Sequence, residues 1–235
     1  MHDHPLDNPI WNALRTDHSH FAVGDAGALR YPGEVAPFVG IPTHGVAADE
    51  SLTPLLADSQ PVYLLGQLPA ASDRWSILLE ASVVQMTCPA VTPQAAPMEF
   101  RELREGDVEA MLELTALVFP GYFRQRTLSM GRYLGVFADD VLVAMAGERM
   151  SLRGYREISA VCTRPGFTGR GYAGALVCVL AQAVIDQGAV PFLHVSPENR
   201  RARDLYRSLG FFDRCELPLV KVRTGGGEAA APLTT

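Results

Sequence analysis

The sequence predicts an α/β protein in which a mixed, mostly antiparallel β-sheet is flanked by helices. Three observations support this fold class. Strand-like segments at 132–137, 141–150 and 155–163 are separated by turns too short to hold a helix, so they should pair antiparallel. A glycine-rich turn then leads into a long helical segment with an apolar face. Strand, helix and strand patterns alternate after that helix.

Length, composition and charge limit the classes of protein to which the chain can belong. Its 235 residues, 48% of them hydrophobic, suffice for one large domain or two small ones. The net charge of −6 and the lack of any Lys/Arg run disfavour nucleic-acid binding. No apolar run approaches the ~20 residues of a membrane span, and the N-terminus lacks the apolar core of a signal peptide. We therefore expect a cytoplasmic protein with no nucleic-acid or membrane partner.

Cysteine and histidine spacing gives no indication of a disulfide or a metal. The four cysteines form no CxxC pair, which predicts free thiols in a reducing compartment. Two H-x-H pairs occur in the first half, His2/His4 and His18/His20. Apart from the aspartates beside them, neither pair has acidic or thiol partners at ligand spacing, so we expect loop or cap histidines.

The first half, residues 1–90, is predicted to be a small α/β domain. A short helix at 9–15 opens it, and a second helical segment at 47–57 interrupts a series of strands. Those strands are predicted at 19–24, 35–41, 61–65 and 75–86. No catalytic pattern occurs in this half.

The second predicted domain, residues 98–223, lies between two segments of biased composition. Pro- and Ala-rich residues at 91–97 are interpreted as a linker, and residues 224–235 as a disordered tail. The domain opens with an alternating strand at 98–103 and an amphipathic helix at 104–119. The three antiparallel strands follow.

The segment after the third strand carries the most specific pattern. Gly169, Gly171 and Gly174 have the spacing G-x-G-x-x-G at the start of a helix predicted over 169–187. A buried strand at 190–195 comes next. We then predict a helix with Pro197 at its first position and Gly210 at its end, and one or two closing strands within 211–222.

Several interpretations of this glycine turn compete. An NAD site needs several βα units after the turn, whereas few residues follow Gly174 and an antiparallel meander precedes it. A mononucleotide P-loop needs Gly-Lys-Ser/Thr, which the turn lacks. The glycines could also serve only to let the helix pack close to the sheet. Residues 168–171 at a helix N-terminus favour a phosphate ligand, because unpaired backbone amides and the helix dipole attract anions.

The order of elements and two motifs resemble the GNAT superfamily of N-acetyltransferases over about residues 98–222. The motifs are EISAVCTRPGFTGRGYAGALV and NRRARDLYRSLGF. They are most similar to the branch grouped with the C-terminal domain of glycine N-acyltransferase-like proteins. The resemblance implies a GNAT-like sheet and acetyl-CoA as co-substrate, without a metal. By analogy, the first half could be a diverged GNAT-like unit without a phosphate turn, which walls the acceptor cleft or mediates a homodimer.

The resemblance also implies where acetyl-CoA binds. The pantetheine arm would pair with exposed backbone of one strand, which must part from the strand at 191–195 to admit the arm. That backbone belongs to Val161, Cys162 and Thr163. Asn199 matches the asparagine that contacts the cofactor arm in the family. The pyrophosphate turn of the family matches Thr168, Gly169, Arg170, Gly171, Tyr172 and Ala173.

Catalytic roles follow from the same resemblance. Tyr206 matches the tyrosine of the LYxxLGF motif, which implies a general acid for the departing thiolate, although its helical face also suits a core residue. Glu157 stands where some family members have a general base, and Glu148 on the neighbouring strand is a second candidate. A backbone N–H near Val161 or Cys162 is expected to stabilise the oxyanion.

These assignments predict an acetyl-CoA-dependent N-acyltransferase in which an amine attacks the thioester directly. The alternative is a non-catalytic CoA-binding or regulatory protein on the same fold, since Thr168 departs from the usual Gln or Arg of the motif. Direct transfer and the lack of an activating histidine disfavour Cys162 as a nucleophile, and His194 is expected to be a core residue. Small amines, amino acids, antibiotics and protein N-termini remain open as acceptors.

Overall fold

The structure is a computed structural model that describes residues 4–42, 48–56, 60–69, 72–93 and 99–224. In these ranges the helices are α1 (Pro9–Arg15), α2 (Ala48–Leu55), α3 (Val108–Val118), α4 (Tyr172–Asp186) and α5 (Arg200–Ser208). The strands are β1 (Val23–Gly24), β2 (Leu29–Arg30), β3 (Val39–Gly40), β4 (Val62–Leu65), β5 (Trp75–Thr87), β6 (Arg101–Glu102), β7 (Tyr133–Ala138), β8 (Val141–Leu152), β9 (Tyr155–Thr163), β10 (Val190–Val195) and β11 (Phe212–Thr224). No helix in the described part of the chain is both long and apolar enough to cross a bilayer.

The chain forms two compact units that alternate along the sequence. Unit 1 comprises Met1–Pro32, Pro37–Val83 and Glu216–Thr235, and unit 2 comprises Gly33–Ala36 and Val84–Cys215. The chain passes from one unit to the other inside β5 and again inside β11. The domain division at 1–90 and 98–223 remains a prediction. Most of the predicted linker, 91–97, and residues 225–235 of the predicted tail lie outside the described residues.

Unit 2 is built on a mostly antiparallel sheet. Its strand order is β5–β10–β9–β8–β7–β6, to which β5 contributes its last residues, Val84–Thr87. Among the described strands of this unit, β9 and β10 are the one parallel pair. The turn between β7 and β8 places Asp139 and Asp140 at φ of 49° and 61°, the left-handed values of a tight hairpin turn. The predicted antiparallel meander is therefore confirmed.

Helices cover both faces of the unit 2 sheet. α4 packs over an apolar cluster that includes Val143 and Ile158, whereas α3 packs over a second cluster that includes Leu142 and Met145. Ala144 of the first cluster and Met145 of the second are neighbours on β8, so the two clusters lie on opposite faces. This arrangement confirms the predicted fold class, a mostly antiparallel sheet flanked by helices.

Unit 1 is smaller and less regular. Strands β1, β2 and β3 form an antiparallel sheet of two residues per strand, and β4 pairs antiparallel with the last part of β11. α2 and the strands enclose a core that includes Leu52, Leu64 and Trp75. The order α1–β1–β2–β3–α2–β4 in the first half is the same as the order α3–β7–β8–β9–α4–β10 in unit 2. The interpretation of the first half as a diverged GNAT-like unit stays a prediction.

Two predicted strands of the first half are wrong over most of their length. The segment 19–24 is a 3₁₀ turn, Ser19–Phe21, followed by β1, and the segment 35–41 contains only β3. Pro37 lies inside the second segment and has no N–H to donate to a sheet, which limits the strand. The strand predicted at 98–103 shrinks to β6, and residue 98 lies outside the described residues.

Both helices that flank β10 begin later than predicted. α5 begins at Arg200, because the Asn199 side chain caps it by accepting a hydrogen bond from the Ala202 N–H at 3.1 Å. Pro197 therefore lies in the preceding turn and not at the first helical position. α4 begins at Tyr172, because the two glycines before it adopt left-handed backbone conformations that a helix cannot contain.

Candidate active site

The candidate site lies where the parallel strands of unit 2 part. β9 and β10 pair through Tyr155–Glu157 and Val190–Phe192, and the last register pair is Glu157 with Phe192. Beyond this point β10 stays paired with β5 through Val195, but no backbone pairing between β9 and β10 continues among the described residues. The predicted separation of the two strands is confirmed. The edge of β9 that faces away from β8 is open from residue 158 to 163.

A bulge interrupts β9 within this open segment. Ala160 has a φ of 52°, and the register of β9 against β8 shifts between Met145 and Gly147. A left-handed alanine costs about 1 kcal/mol or more, and bulges often lie beside active sites because they free backbone groups from the ladder. The predicted oxyanion donor, a backbone N–H of Val161 or Cys162, would come directly after this bulge.

The glycine turn follows the open strand and leads into α4. Gly169 and Gly171 have φ values of 82° and 81°, a region that glycine adopts without strain. A Cβ built on Gly169 would meet no atom within 4 Å, so close packing does not explain this glycine. Residues 168–171 are exposed. This geometry weighs against the purely structural interpretation and leaves room for a ligand.

The N-terminus of α4 presents backbone amides to this turn. Gly171 is the N-cap residue and makes no side-chain cap, and Ala175 donates the first hydrogen bond of the helix to the Gly171 carbonyl at 3.1 Å. The amides of Tyr172, Ala173 and Gly174 have no hydrogen-bond partner in the described ranges. Such amides and the positive end of the helix dipole favour an anion.

Arg170 lies beside these amides. Its guanidinium carbon lies 4.7 Å from the Phe167 ring centroid, and its Nη2 is 3.5 Å from the Gly166 carbonyl. Thr168 is exposed at the start of the turn. The structure thus brings the predicted residues 161–163 and 168–173 together as one continuous path along β9, the turn and α4.

Comparisons with known proteins agree with this geometry. A model of the FR47-like protein family matches residues 133–217. A crystal structure described as a candidate acetyltransferase of the GNAT family, from Novosphingobium aromaticivorans, is 30% identical with a TM-score of 0.85, and the match covers 95% of this chain and all of that one. The chain belongs to the GNAT family.

A second solved structure supports the fold over most of the chain. The GCN5-related N-acetyltransferase from Kribbella flavida is 16% identical with a TM-score of 0.60, and the match covers 92% of this chain and 93% of that one. No curated protein matches the chain. Membership of the GNAT family implies acyl transfer from acetyl-CoA to an amine. The glycine N-acyltransferase branch stays a prediction.

Tyr206 lies on α5 with its ring in the apolar cluster beneath α4. It packs against Phe211, with ring centroids 6.0 Å apart, and shares the cluster with Ile158 and Leu193 of the parting strands. Its hydroxyl has no hydrogen-bond partner among the residues that the structure describes. Burial raises the pKa of Tyr206 to about 12, which keeps the phenol protonated at neutral pH. The side chain is therefore a core residue whose phenol stays protonated at neutral pH.

Glu157 is a fully buried carboxylate at the point where β9 and β10 part. Arg149 binds it with two hydrogen bonds, Nε to Oε2 at 2.8 Å and Nη2 to Oε1 at 2.6 Å, and His194 Nδ1 lies 2.7 Å from Oε1. Burial would raise the pKa of Glu157, but Arg149 and then His194 outweigh it and lower the pKa to about 2. A carboxylate so well stabilised in its charged form is a weak proton acceptor at neutral pH.

Glu148 is buried on β8 and is held less tightly. Its Oε2 lies 3.3 Å from Nη1 of Arg156, a half-exposed side chain, and its register partner on β9 is Ile158. A single, longer contact holds this carboxylate less rigidly than the three short contacts hold Glu157.

Two other predicted residues have clear structural roles. The Asn199 carbonyl oxygen caps α5, and the side chain lies at an exposed position. Cys162 is buried in the cluster beneath α3, and burial raises the pKa of its thiol to about 12. A thiol that stays protonated is a poor nucleophile, which weighs against a nucleophilic role of Cys162.

Sequence patterns alone do not indicate the polar residues that surround Glu157. Arg149 and Gln85 belong to no recognised motif, and the position of His194 in an apolar strand predicts an ordinary core residue. The available signal was the presence of polar residues inside apolar strands, as in SVVQMT and PFLHV. No group of three or more His, Cys, Asp or Glu side chains in the described ranges is placed to hold a metal.

Proposed function

We propose that the protein is an acetyl-CoA-dependent N-acyltransferase in which an amine attacks the thioester directly. The observation that carries the proposal is the continuity of an open strand edge, at 158–163, with an exposed turn whose backbone amides are unpaired. An extended pantetheine arm pairs like a strand, whereas a diphosphate needs an N-terminal cluster of amides. Acetyl-CoA contains both a pantetheine arm and a diphosphate. The chain offers the site for the arm on β9 and the site for the diphosphate in the turn that follows.

The residues that hold the co-substrate follow from this order. Val161, Cys162 and Thr163 offer backbone groups to the arm, and residues 168–173 bind the diphosphate with amides and the Arg170 charge. The side-chain oxygen of Asn199 caps α5, so the amide nitrogen can donate a hydrogen bond to the ligand. When bound, acetyl-CoA supplies an acyl group activated as a thioester.

Tyr206 serves in the proposal as the general acid that protonates the departing thiolate. The phenol is neutral at physiological pH, and its hydroxyl is not committed to another residue of the described chain. General acids of this kind typically contribute about 10² to 10⁴ in rate.

The proposal gives the proton-acceptor role to Glu148, directly or through a water molecule. Glu157 is the alternative, but its contacts with Arg149 and His194 favour a role in holding the site together. Glu148→Gln and Glu157→Gln separate the two, because both remove a charge while they preserve shape. A loss of kcat in Glu148→Gln, with the affinity for CoA retained, is the expected result.

The experiment that tests the function is release of free thiol from acetyl-CoA with a panel of amines. Turnover with at least one amine class is expected, and Tyr206→Phe should lower kcat about 10²-fold or more without loss of CoA affinity. Tyr31→Phe is the matched control, since it removes another buried phenol hydroxyl, on a residue of unit 1 to which the proposal gives no role. Equal kcat values for wild type and Tyr206→Phe would refute the acid role.

A non-catalytic CoA-binding protein is the second candidate, because both candidate bases are held in ion pairs. Calorimetric binding of CoA without turnover across the panel would favour it. Absence of any heat with either CoA or acetyl-CoA, on protein shown to be folded, would reject both candidates.

A further inference from the structure

Five polar side chains form a hydrogen-bonded chain across five strands of unit 2. From β8 to β11 its members are Arg149, Glu157, His194, Gln85 and Arg214. After the Arg149–Glu157 pair, His194 Nδ1 lies 2.7 Å from Glu157 Oε1, and His194 Nε2 lies 2.9 Å from Gln85 Nε2. Arg214 Nε donates to Gln85 Oε1 at 2.5 Å. The side chains of Glu157 and His194 are 0% and 6% exposed, so these bonds form away from water.

The donor and acceptor of each bond in the chain can be assigned. Because Gln85 Oε1 accepts from Arg214, Gln85 Nε2 must be the donor toward His194. His194 Nε2 therefore accepts, and its proton resides on Nδ1, which donates to Glu157. The imidazole is held from both sides, by a carboxylate on β9 and an amide on β5.

This ring lies at the point where backbone pairing between β9 and β10 stops. Glu157 belongs to the last register pair of the two strands, and His194 lies two residues beyond the partner of Glu157 on β10. The Glu157–His194 bond thus joins the two strands where their backbone pairing ends. The Glu148–Arg156 pair is different, since it joins β8 and β9, whose backbone pairing continues on both sides of it.

We propose that His194 is a positioning residue that fixes the separation of β9 and β10 in the cleft that receives the acyl-thioester arm. The inference rests on the proposed function, because the arm must fit between these strands. The Glu157–His194 bond takes the place of the missing backbone bonds at the branch point, so the width of the cleft depends on this bond. Gln85 lies on β5, which stays paired with β10, and its amide fixes the orientation of the imidazole ring. A misplacement of about 1 Å at such a site can cost about 10²-fold in rate.

Two substitutions at one position test the proposal. His194→Ala removes both bonds. His194→Asn keeps a donor amide near the position of Nδ1 and removes the titratable ring. If His194 positions the strands, His194→Ala should weaken CoA binding about tenfold and lower kcat at least as much, whereas His194→Asn should recover most of both. Affinity is measured by calorimetry on the folded fraction, and kcat by thiol release.

Arg156→Gln serves as the control for affinity, because it breaks a neighbouring ion pair that does not join β9 to β10. It should leave the dissociation constant for CoA unchanged. If Arg156→Gln weakens CoA binding as much as His194→Ala does, a general loss of buried polar contacts explains both, and the proposal is rejected.

The remaining outcomes are equally decisive. Suppose that wild type binds CoA and acetylates an amine, and that His194→Ala has the same affinity and kcat. This result rejects the positioning role and leaves the proposed function intact. Loss of kcat in both variants with affinity retained assigns His194 as a proton acceptor and also rejects the proposal. A wild type that binds no CoA rejects the proposed function itself.

Discussion

The two ends of β9 differ in how their polar groups are satisfied. At the start, Glu157 is buried and its carboxylate makes hydrogen bonds to Arg149 and His194. At the end, the strand edge is open and the turn at 168–171 is exposed beside unpaired amides. The start of β9 thus has polar groups satisfied within the protein, and its end leaves backbone groups unpaired among the described residues. In the proposed function, the start positions the strands of the cleft and the end binds the ligand.

The largest effect expected from this comparison is on stability, at the buried end. Glu157→Gln removes the carboxylate that binds the largely buried Arg149 guanidinium with two hydrogen bonds, which should lower the free energy of unfolding by about 3–5 kcal/mol. Glu113→Gln is the control, since Glu113 pairs with Arg164 with its side chain 65% exposed. An exposed pair contributes only about 0–1 kcal/mol. Urea denaturation of the two variants measures both values, and equal losses would contradict the distinction.

The pH dependence of stability gives a second test of the buried end of β9. The pKa of Glu157 is lowered from its ordinary 4.5 to about 2 in the folded protein. Its contribution is therefore complete above pH 4.5 and is lost as the pH falls toward 2, by about 3 kcal/mol. The free energy of unfolding of wild type and Glu157→Gln should converge over this range. If the free energies of unfolding of wild type and Glu157→Gln differ by a constant amount from neutral pH to pH 2, the ion pair does not lower the pKa of Glu157.

At the exposed end, the expected effect is on ligand affinity. Gly169→Ala and Gly166→Ala both place a Cβ at a positive φ, 82° and 87°, where no atom lies within 4 Å. Each should lose about 1–2 kcal/mol of stability through backbone strain. Gly169→Ala alone should weaken CoA binding, by about tenfold or ~1.4 kcal/mol, because its Cβ extends toward the proposed diphosphate site. Calorimetry measures the CoA affinity of both variants. Gly166→Ala is expected to bind CoA as well as wild type does.

The smallest effect is expected at Tyr133, a residue near the buried end. Its hydroxyl is buried and has no hydrogen-bond partner in the described part of the chain. Burial raises the pKa of this phenol, so the group is neutral. Tyr133→Phe should change the free energy of unfolding by less than about 1 kcal/mol, or stabilise the protein slightly. A loss of 2 kcal/mol or more would show that the hydroxyl has a partner, such as a buried water molecule.

The exposed end of β9 could be predicted from sequence, and the buried end could not. The strands β7, β8 and β9 and the glycine turn are encoded by local patterns, namely alternation, short turns and glycine spacing. Recognition of Glu157 as buried requires knowledge of its neighbours. Gln85 and His194 are 109 residues apart in the chain, and β5 joins β10 only through tertiary structure.

Local propensity also failed where tertiary contacts decide the conformation. Residues 35–41 alternate like a strand, but Pro37 and the surrounding turns restrict regular pairing to β3. The predicted start of α4 at Gly169 is too early, because the presence of a glycine does not reveal whether its φ is left-handed. A ligand-binding turn is expected to depart from helix geometry, since its amides must point away from the helix.

The interleaved order of the two units has a consequence for biosynthesis. Unit 1 needs β11, because β4 pairs with Leu219–Val222, and these residues are translated after the whole of unit 2. Unit 2 is contiguous from Val84 to Cys215 apart from four earlier residues. The unit that carries the candidate active site can therefore fold first, although its sequence comes second.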